Sequence, residues 1–237
     1  SIVKVLGSET IQFCSDEGIQ IFGGMGYSAD TPMEAAYRDA RIARIYEGTN
    51  EINRMLLVGM ILKKAMKGEL DIMTPAMKVA SELMSIPSFD IPDENKLFEV
   101  EKEHLKKLKK AILMTAGKAT QHFAMEIEKE QEILMNLADM VIDVYAAESA
   151  ILRAEKLALE NKENAENQIM MSKLFLYSSI KNCQRCGEEV ILSFAEGDEQ
   201  RVLLMGLKRF TKGYTINPKN LRRNIADKLI EENRYCF

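Results

Sequence analysis

Glycine and proline are scarce in this chain, 13 and 5 among 237 residues. Breakers are therefore few, and no stretch alternates apolar with polar residues long enough to suggest a sheet. Excess charge of one sign is also missing: 32 Lys and Arg against 36 Asp and Glu leave a net charge of −4. A nucleic-acid partner would call for a basic face, so that class is set aside. No apolar run approaches the length that crosses a bilayer, and no secretory segment opens the chain. Four cysteines cannot frame a chain of this size with disulfides. Cys14 and Cys236 stand alone, and Cys183-x-x-Cys186 has neither the second pair of a structural zinc site nor the neighbouring strand of a redox motif. Such thiols suit a reducing compartment.

Alanine, leucine, methionine, glutamate and lysine dominate, a composition that favours helices. The expected fold is all-α, in three parts: 1–68, a connector over 69–95 that holds three of the five prolines, and a helical region over 96–237. Residues 1–22 read as an amphipathic helix already under way, which predicts chain preceding Ser1. The turn Gly23-Gly24-Met25-Gly26 follows. Thr31, Pro32 and Glu34 have the order of a capping box and predict a short helix over 33–41. Thr49 is placed to cap a third helix, with Ile52, Met55, Leu56, Gly59, Met60 and Leu62 near one stripe and Gly68 as its stop.

In the connector, Thr74-Pro75 predicts a helix with Met73, Met77, Ala80 and Met84 on one face, ended by Ile86-Pro87, with 89–92 extended. Its polar side, with Lys78 and Glu82, lacks the basic richness of an interfacial helix, so the Met stripe is expected to pack in a core or an interface rather than on a membrane. Beyond it, helices are expected near 96–127, 131–161, 165–196, 198–212 and 218–234. Ile133, Leu137, Val141, Val144, Ile151 and Leu152 mark a core stripe in the second. Short connections favour an up-and-down bundle.

Glu47 is the residue that draws chemical interest. It lies two positions before the N-cap Thr49, where the helix dipole favours its ionised form, beside Ile45 and Tyr46, whose burial would oppose ionisation. A general base near neutral pH needs such a balance. Without further context, a glutamate ahead of a helix is more often a plain dipole partner.

The stretch QIFGGMGYSADTPMEAAYRDARIARIYEGTNEINR, from Gln20 to Arg54, adds that context. It resembles the C-terminal helical region of acyl-CoA dehydrogenases. The resemblance implies that Glu47, in the run Tyr46-Glu47-Gly48-Thr49, is the base that removes the α-proton of an acyl-CoA thioester while a β-hydride passes to FAD. Tyr46 and Gly48 would then adjoin the substrate. Gln20, Gly23 and Gly24 would touch the adenine-nucleotide half of an FAD bound mainly by a neighbouring subunit, and Thr49, Asn50 and Glu51 would contact FAD again. Glu51 departs from the glutamine of several short-chain members. Arg38, Asp39 and Arg41 match an Arg-Asp run with an expected pairing role. Gly59 stands where some medium-chain members carry an arginine.

The long helical continuation resembles that of the very-long-chain branch and its bacterial long-chain relatives. It implies fatty acid β-oxidation, an electron-transferring flavoprotein as partner, a homodimer, and residence in the bacterial cytoplasm or the mitochondrial matrix. The family's N-terminal helical domain and β-domain are not within these residues, so residues 1–237 alone are expected to be inactive. Two other classes compete. One is a non-catalytic helical dimerisation module. The other is a ferritin-like metal bundle, for which Glu101-x-x-His104 supplies one motif; the second would need a partner for His122, and Ala119 stands there. Lys102, Lys106 and Lys107 make a solvated helix face the expected place for Glu101 and His104.

Overall fold

A computed structural model describes residues 1–83, 93, 96–160 and 165–237. The described residues are helical, without a strand. They divide into two compact units, Ser1–Leu70 and Asp71–Phe237.

In the first unit, α1 (Ile2–Phe22) packs against α2 (Gly24–Tyr27), α3 (Pro32–Ile42) and α4 (Asn50–Met66). Thr31 stands at the N-cap of α3, but the expected capping box does not form. Its hydroxyl donates instead to the carbonyls of Met25 at 2.7 Å and Ser28 at 3.2 Å, tying the glycine turn to the helix start. Glu34 pairs with Arg38, one turn on. Thr49 does cap α4, accepting from the Ile52 amide at 3.3 Å. Gly68, at φ 72°, follows its last turn, where only glycine adopts the left-handed geometry cheaply.

The expected apolar stripe of α4 is not its buried face. Asn50, Arg54 and Val58 point inward, whereas Ile52, Leu56 and Met60 are about half exposed. Spacing alone could not show this, because both sets recur at helical intervals.

The second unit packs α6 (Glu99–Phe123), α7 (Gln131–Leu159), α8 (Ala165–Leu192) and α9 (Gly197–Thr211) around one core, with a 3-10 turn at Ala124–Lys129. Leu108, Ala111, Met140, Ala147, Ile151, Leu176 and Val190 fill that core. In α7, Ile133, Leu137, Val144 and Ile151 are buried as expected, but Leu152 is exposed. Two short helices flank the four: α5 (Met73–Leu83) lies on α6 and α10 (Pro218–Glu232) on α8.

The start of α5 differs from expectation, since the Asp71 carboxylate accepts from the Thr74 amide at 3.0 Å. Its Met stripe is not in a core: Met73 and Met77 are exposed, and Val79 is buried instead. Met84, Ile86-Pro87 and 89–92 lie outside the described residues. No helix among the described residues is long and apolar enough to cross a membrane.

Glu101 and His104 do not lie on a solvated face. Both are buried, on the same stripe of α6 as Leu105 and Leu108. The hydroxyl of Tyr214 donates to Glu101 at 3.1 Å and Lys173 pairs with the same carboxylate at 3.5 Å. The rings of His104 and Tyr214 lie 5.0 Å apart. Cys183 and Cys186 are fully buried; burial raises the Cys186 thiol to about 12 and pushes Cys183 higher still, which leaves both as unreactive core thiols.

Candidate active site

The candidate site is built on α1 and the two turns that flank α3. α1 ends at Phe22, and Gly23 reverses the chain at φ 59°. One turn later Gly26 is buried against α1: a Cβ there would lie 2.7 Å from the Ile19 carbonyl oxygen and 2.9 Å from its Cα. Both obstacles are backbone, so Gly26 is demanded by close approach. Gly24 is different. A Cβ there would meet no heavy atom within 4 Å. Nothing among the described residues requires its bareness, which suits a group that approaches the exposed turn from outside. Gly26→Ala should therefore destabilise the first unit by ~1–3 kcal/mol while Gly24→Ala changes it little, as read from urea unfolding.

The second turn follows α3. The Tyr46 amide returns to the Ile42 carbonyl at 3.2 Å and the Asn50 amide to Arg44 at 3.1 Å, closing a tight loop. Inside it Glu47 has φ 57° and Gly48 φ 79°. A left-handed glutamate costs on the order of 1 kcal/mol and persists only where neighbours enforce it. Here the enforcing groups come from α1 and α4. Lys4 Nζ donates to the Gly48 carbonyl at 2.8 Å and to Asn50 Oδ1 at 2.7 Å. Asn53 Nδ2 donates to the same carbonyl at 2.8 Å.

Asn50 has no exposed surface. Its amide donates to Ser8 Oγ at 2.9 Å and Glu9 Oε1 at 3.1 Å, and Glu9 pairs with the nearly buried Arg54 at 2.8 Å. The Asn50 side chain thus holds α4 to α1.

Glu47, Tyr46, Gly48 and Glu51 are exposed, and Thr49 is partly so. The burial expected around Glu47 is not supplied by the described residues of this chain. The Glu51 carboxyl is held below its usual range, first by its own backbone amide and then by the Thr49 hydroxyl. Gln20, Gly23 and Gly24 are exposed as well. They sit at the far end of α1 from Lys4 and its Gly48 contact, ~24 Å away along the axis at 1.5 Å per residue. The two groups of site residues are therefore not brought together within one copy. A hollow of about 760 Å³ between α1 and α3, lined in part by Asp16, Ile19, Tyr37, Arg41 and Ile45, touches neither Glu47 nor the bare Gly24.

Several residues of this assembly escaped the sequence reading: Lys4, Ser8, Glu9, Asn53 and Arg54. Asn53 and Arg54 follow the EGTNE run directly, and polar residues on the inward side of an amphipathic helix are the signal that could have found them. No group of three or more His, Cys, Asp or Glu side chains among the described residues is placed to hold a metal ion.

Two family models match the chain, both described as acyl-CoA dehydrogenase, C-terminal domain, over residues 1–62 and 107–209. A probable acyl-CoA dehydrogenase of Bacillus subtilis is 40% identical over 241 residues, covering 99% of this chain and 39% of that protein. The human mitochondrial short-chain specific acyl-CoA dehydrogenase is 48% identical over 63 residues, 27% of this chain and 15% of that enzyme. A crystal structure of an acyl-CoA dehydrogenase complexed with FAD from Bacillus anthracis superposes with a TM-score of 0.94 at 38% identity, over 100% of this chain and 40% of that one. The chain thus spans about two fifths of the length of the two Bacillus proteins.

Proposed function

The chain belongs to the acyl-CoA dehydrogenase family as a C-terminal region of it, and from that premise we propose that it forms part of an FAD-dependent enzyme that introduces an α,β double bond into long-chain fatty acyl-CoA thioesters in β-oxidation. The observation that carries this reading is the strained, braced turn at Glu47: an exposed glutamate in left-handed backbone, followed by a glycine whose carbonyl is held from two helices. Such expense on one surface turn is characteristic of a functional site.

In this reading Glu47 removes the α-proton and holds it, and the electron pair released forms the double bond as the β-hydrogen leaves with its electrons. Bound FAD supplies the acceptor for that hydride. Gly48 lets the thioester approach the backbone beside the base, with Tyr46 adjoining it, and a backbone amide there stabilises negative charge on the thioester oxygen. Thr49 and Glu51 stand at the N-terminus of α4, which favours an anionic or phosphate-bearing neighbour.

Gln20, Gly23 and Gly24 hold the adenine-nucleotide end of an FAD from a second copy. The ~24 Å along α1 between them and the Gly48 turn supports that division of labour, as does the open backbone at Gly24. The enzyme is then a homodimer at least, its electrons leave to an electron-transferring flavoprotein, and it works in the bacterial cytoplasm or the mitochondrial matrix. Residues 1–68 carry the site, 69–95 connect, and 96–237 are the extension of the long-chain branch. The exposed Ile42, Ile45, Tyr46, Ile52, Leu56 and Met60 support completion of the site by further protein.

The test is the purified native polypeptide that contains this region. It should be yellow with bound flavin, and anaerobic palmitoyl-CoA should bleach the flavin band. Absence of both flavin and acyl-CoA oxidation would defeat the proposal. Residues 1–237 alone should retain little FAD and oxidise nothing. In the complete protein Gly24→Ala should lower flavin content at unchanged stability.

A further inference from the structure

Resting on the assignment of Glu47 as base, we propose that Lys4 is a positioning residue for the α-proton transfer: its ammonium, together with the Asn53 amide, pins the Gly48 carbonyl and so aims the Glu47 carboxylate. The need for a pin follows from the residue types. Glycine is the most permissive residue type, and Gly48 stands where precision matters most, next to the base. Its φ of 79° follows the φ of 57° at Glu47, so the chain turns through two successive left-handed residues. A free glycine would let the peptide planes on either side rotate, and the carboxylate would swing with them.

The structure removes that freedom by filling both lone pairs of one carbonyl. Lys4 Nζ occupies one at 2.8 Å and Asn53 Nδ2 the other at 2.8 Å. With the oxygen held between α1 and α4, the Gly48–Thr49 peptide plane cannot turn. Lys4 is itself held, donating a second hydrogen bond to Asn50 Oδ1 at 2.7 Å. Asn50 is anchored in turn through Ser8 and Glu9 to α1 and, by way of Glu9, to Arg54. The brace therefore runs from the buried Asn50 to the backbone of the residue that follows the base. A side chain at position 48 would not serve instead: the φ of 79° would strain it, and its Cβ would come 3.2 Å from Asn53 Nδ2, a tight contact with the second donor.

The experiment is α-hydrogen exchange in the complete, FAD-loaded enzyme, with the flavin reduced beforehand so that no net oxidation occurs. Palmitoyl-CoA is bound in D2O, and deuterium at Cα is followed by mass spectrometry. Glu47→Gln should abolish exchange. Lys4→Met, which keeps the aliphatic stem, should slow it by about 10- to 100-fold, the effect of a misaimed group. FAD content and palmitoyl-CoA affinity should change by less than about threefold, and Lys4→Arg should restore part of the rate.

Wild-type exchange in Lys4→Met, with Glu47→Gln inert, would overturn the positioning role and leave the base intact. Wild-type exchange in Glu47→Gln would instead overturn the assignment of the base. Should Lys4→Met fail to fold, Asn53→Ala decides, because it removes the other donor from the same oxygen and leaves α1 unaltered. An unchanged exchange rate there would overturn the proposal.

Discussion

Replacing Glu47 by Gln in the complete enzyme should lower acyl-CoA oxidation by at least about 10²- to 10⁴-fold, the range expected for loss of a general base. The substitution keeps side-chain length and planarity, so the turn should survive. Its geometry is set by Lys4, Asn53 and the Gly48 carbonyl, not by the carboxylate. Flavin content, thermal stability and acyl-CoA affinity should therefore stay close to wild type, while steady-state turnover with palmitoyl-CoA and an artificial acceptor collapses. Near-normal turnover would remove the mechanism proposed above. A loss accompanied by unfolding would leave a structural cause open, which is why affinity and melting temperature belong in the same measurement. The effect should also be larger than that of Lys4→Met, because one change removes the proton acceptor and the other only its aim.

The second large effect concerns acid stability of the Asp71–Phe237 unit. His104 is 5% exposed, and burial, followed by the nearby Lys107 charge, lowers its pKa to about 4 despite the opposing pull of Glu101 and Glu103. In the unfolded chain the ring titrates near 6.5. Between those values the unfolded chain takes up a proton that the folded chain refuses. Stability should thus fall as pH drops from about 6.5 towards 4 and level off below that for this group, by on the order of 3 kcal/mol in all.

His104→Phe keeps a ring against Tyr214 but cannot titrate. Comparing thermal unfolding at pH 7 and pH 4.5, the variant should lose less stability than the wild type. Equal losses would show that His104 is not responsible. The Tyr214 hydroxyl, raised by burial and by the adjacent Glu101, stays protonated throughout this range and keeps its hydrogen bond to that carboxylate.

Local chemistry was the legible part of this protein. Thr49 caps α4 through a hydrogen bond from the amide three residues on, a contact that depends on nothing distant. Gly68 falls at positive φ beside a helix end for the same reason. The capping box at Thr31 failed because its hydroxyl found the Met25 carbonyl, a partner supplied by the folded glycine turn.

Polar residues were the main source of error. Glu101 and His104 have lysines beside them in sequence, which suggested a solvated face. Yet they share the inward stripe with Leu105 and Leu108, and Tyr214, more than a hundred positions away, closes over them. Asn50, for which the resemblance implied a place beside FAD, also has its side chain held by Ser8 and Glu9 of α1, partners that no local pattern indicated. On α4, Ile52, Leu56 and Met60 have the spacing of a core face and remain exposed in this chain.

From its order of residues alone the molecule was bound to be helical, with a glycine turn after the first helix and a single carboxylate two residues ahead of a capped one. Those features arise from backbone preferences acting over a few positions. Which polar groups lie inside, which apolar ones stay outside, and which side chains brace the Glu47 turn were decided only when distant helices met. Desolvation and hydrogen-bond partnership are properties of the space around a residue, and that space is furnished by parts of the chain that no local pattern names.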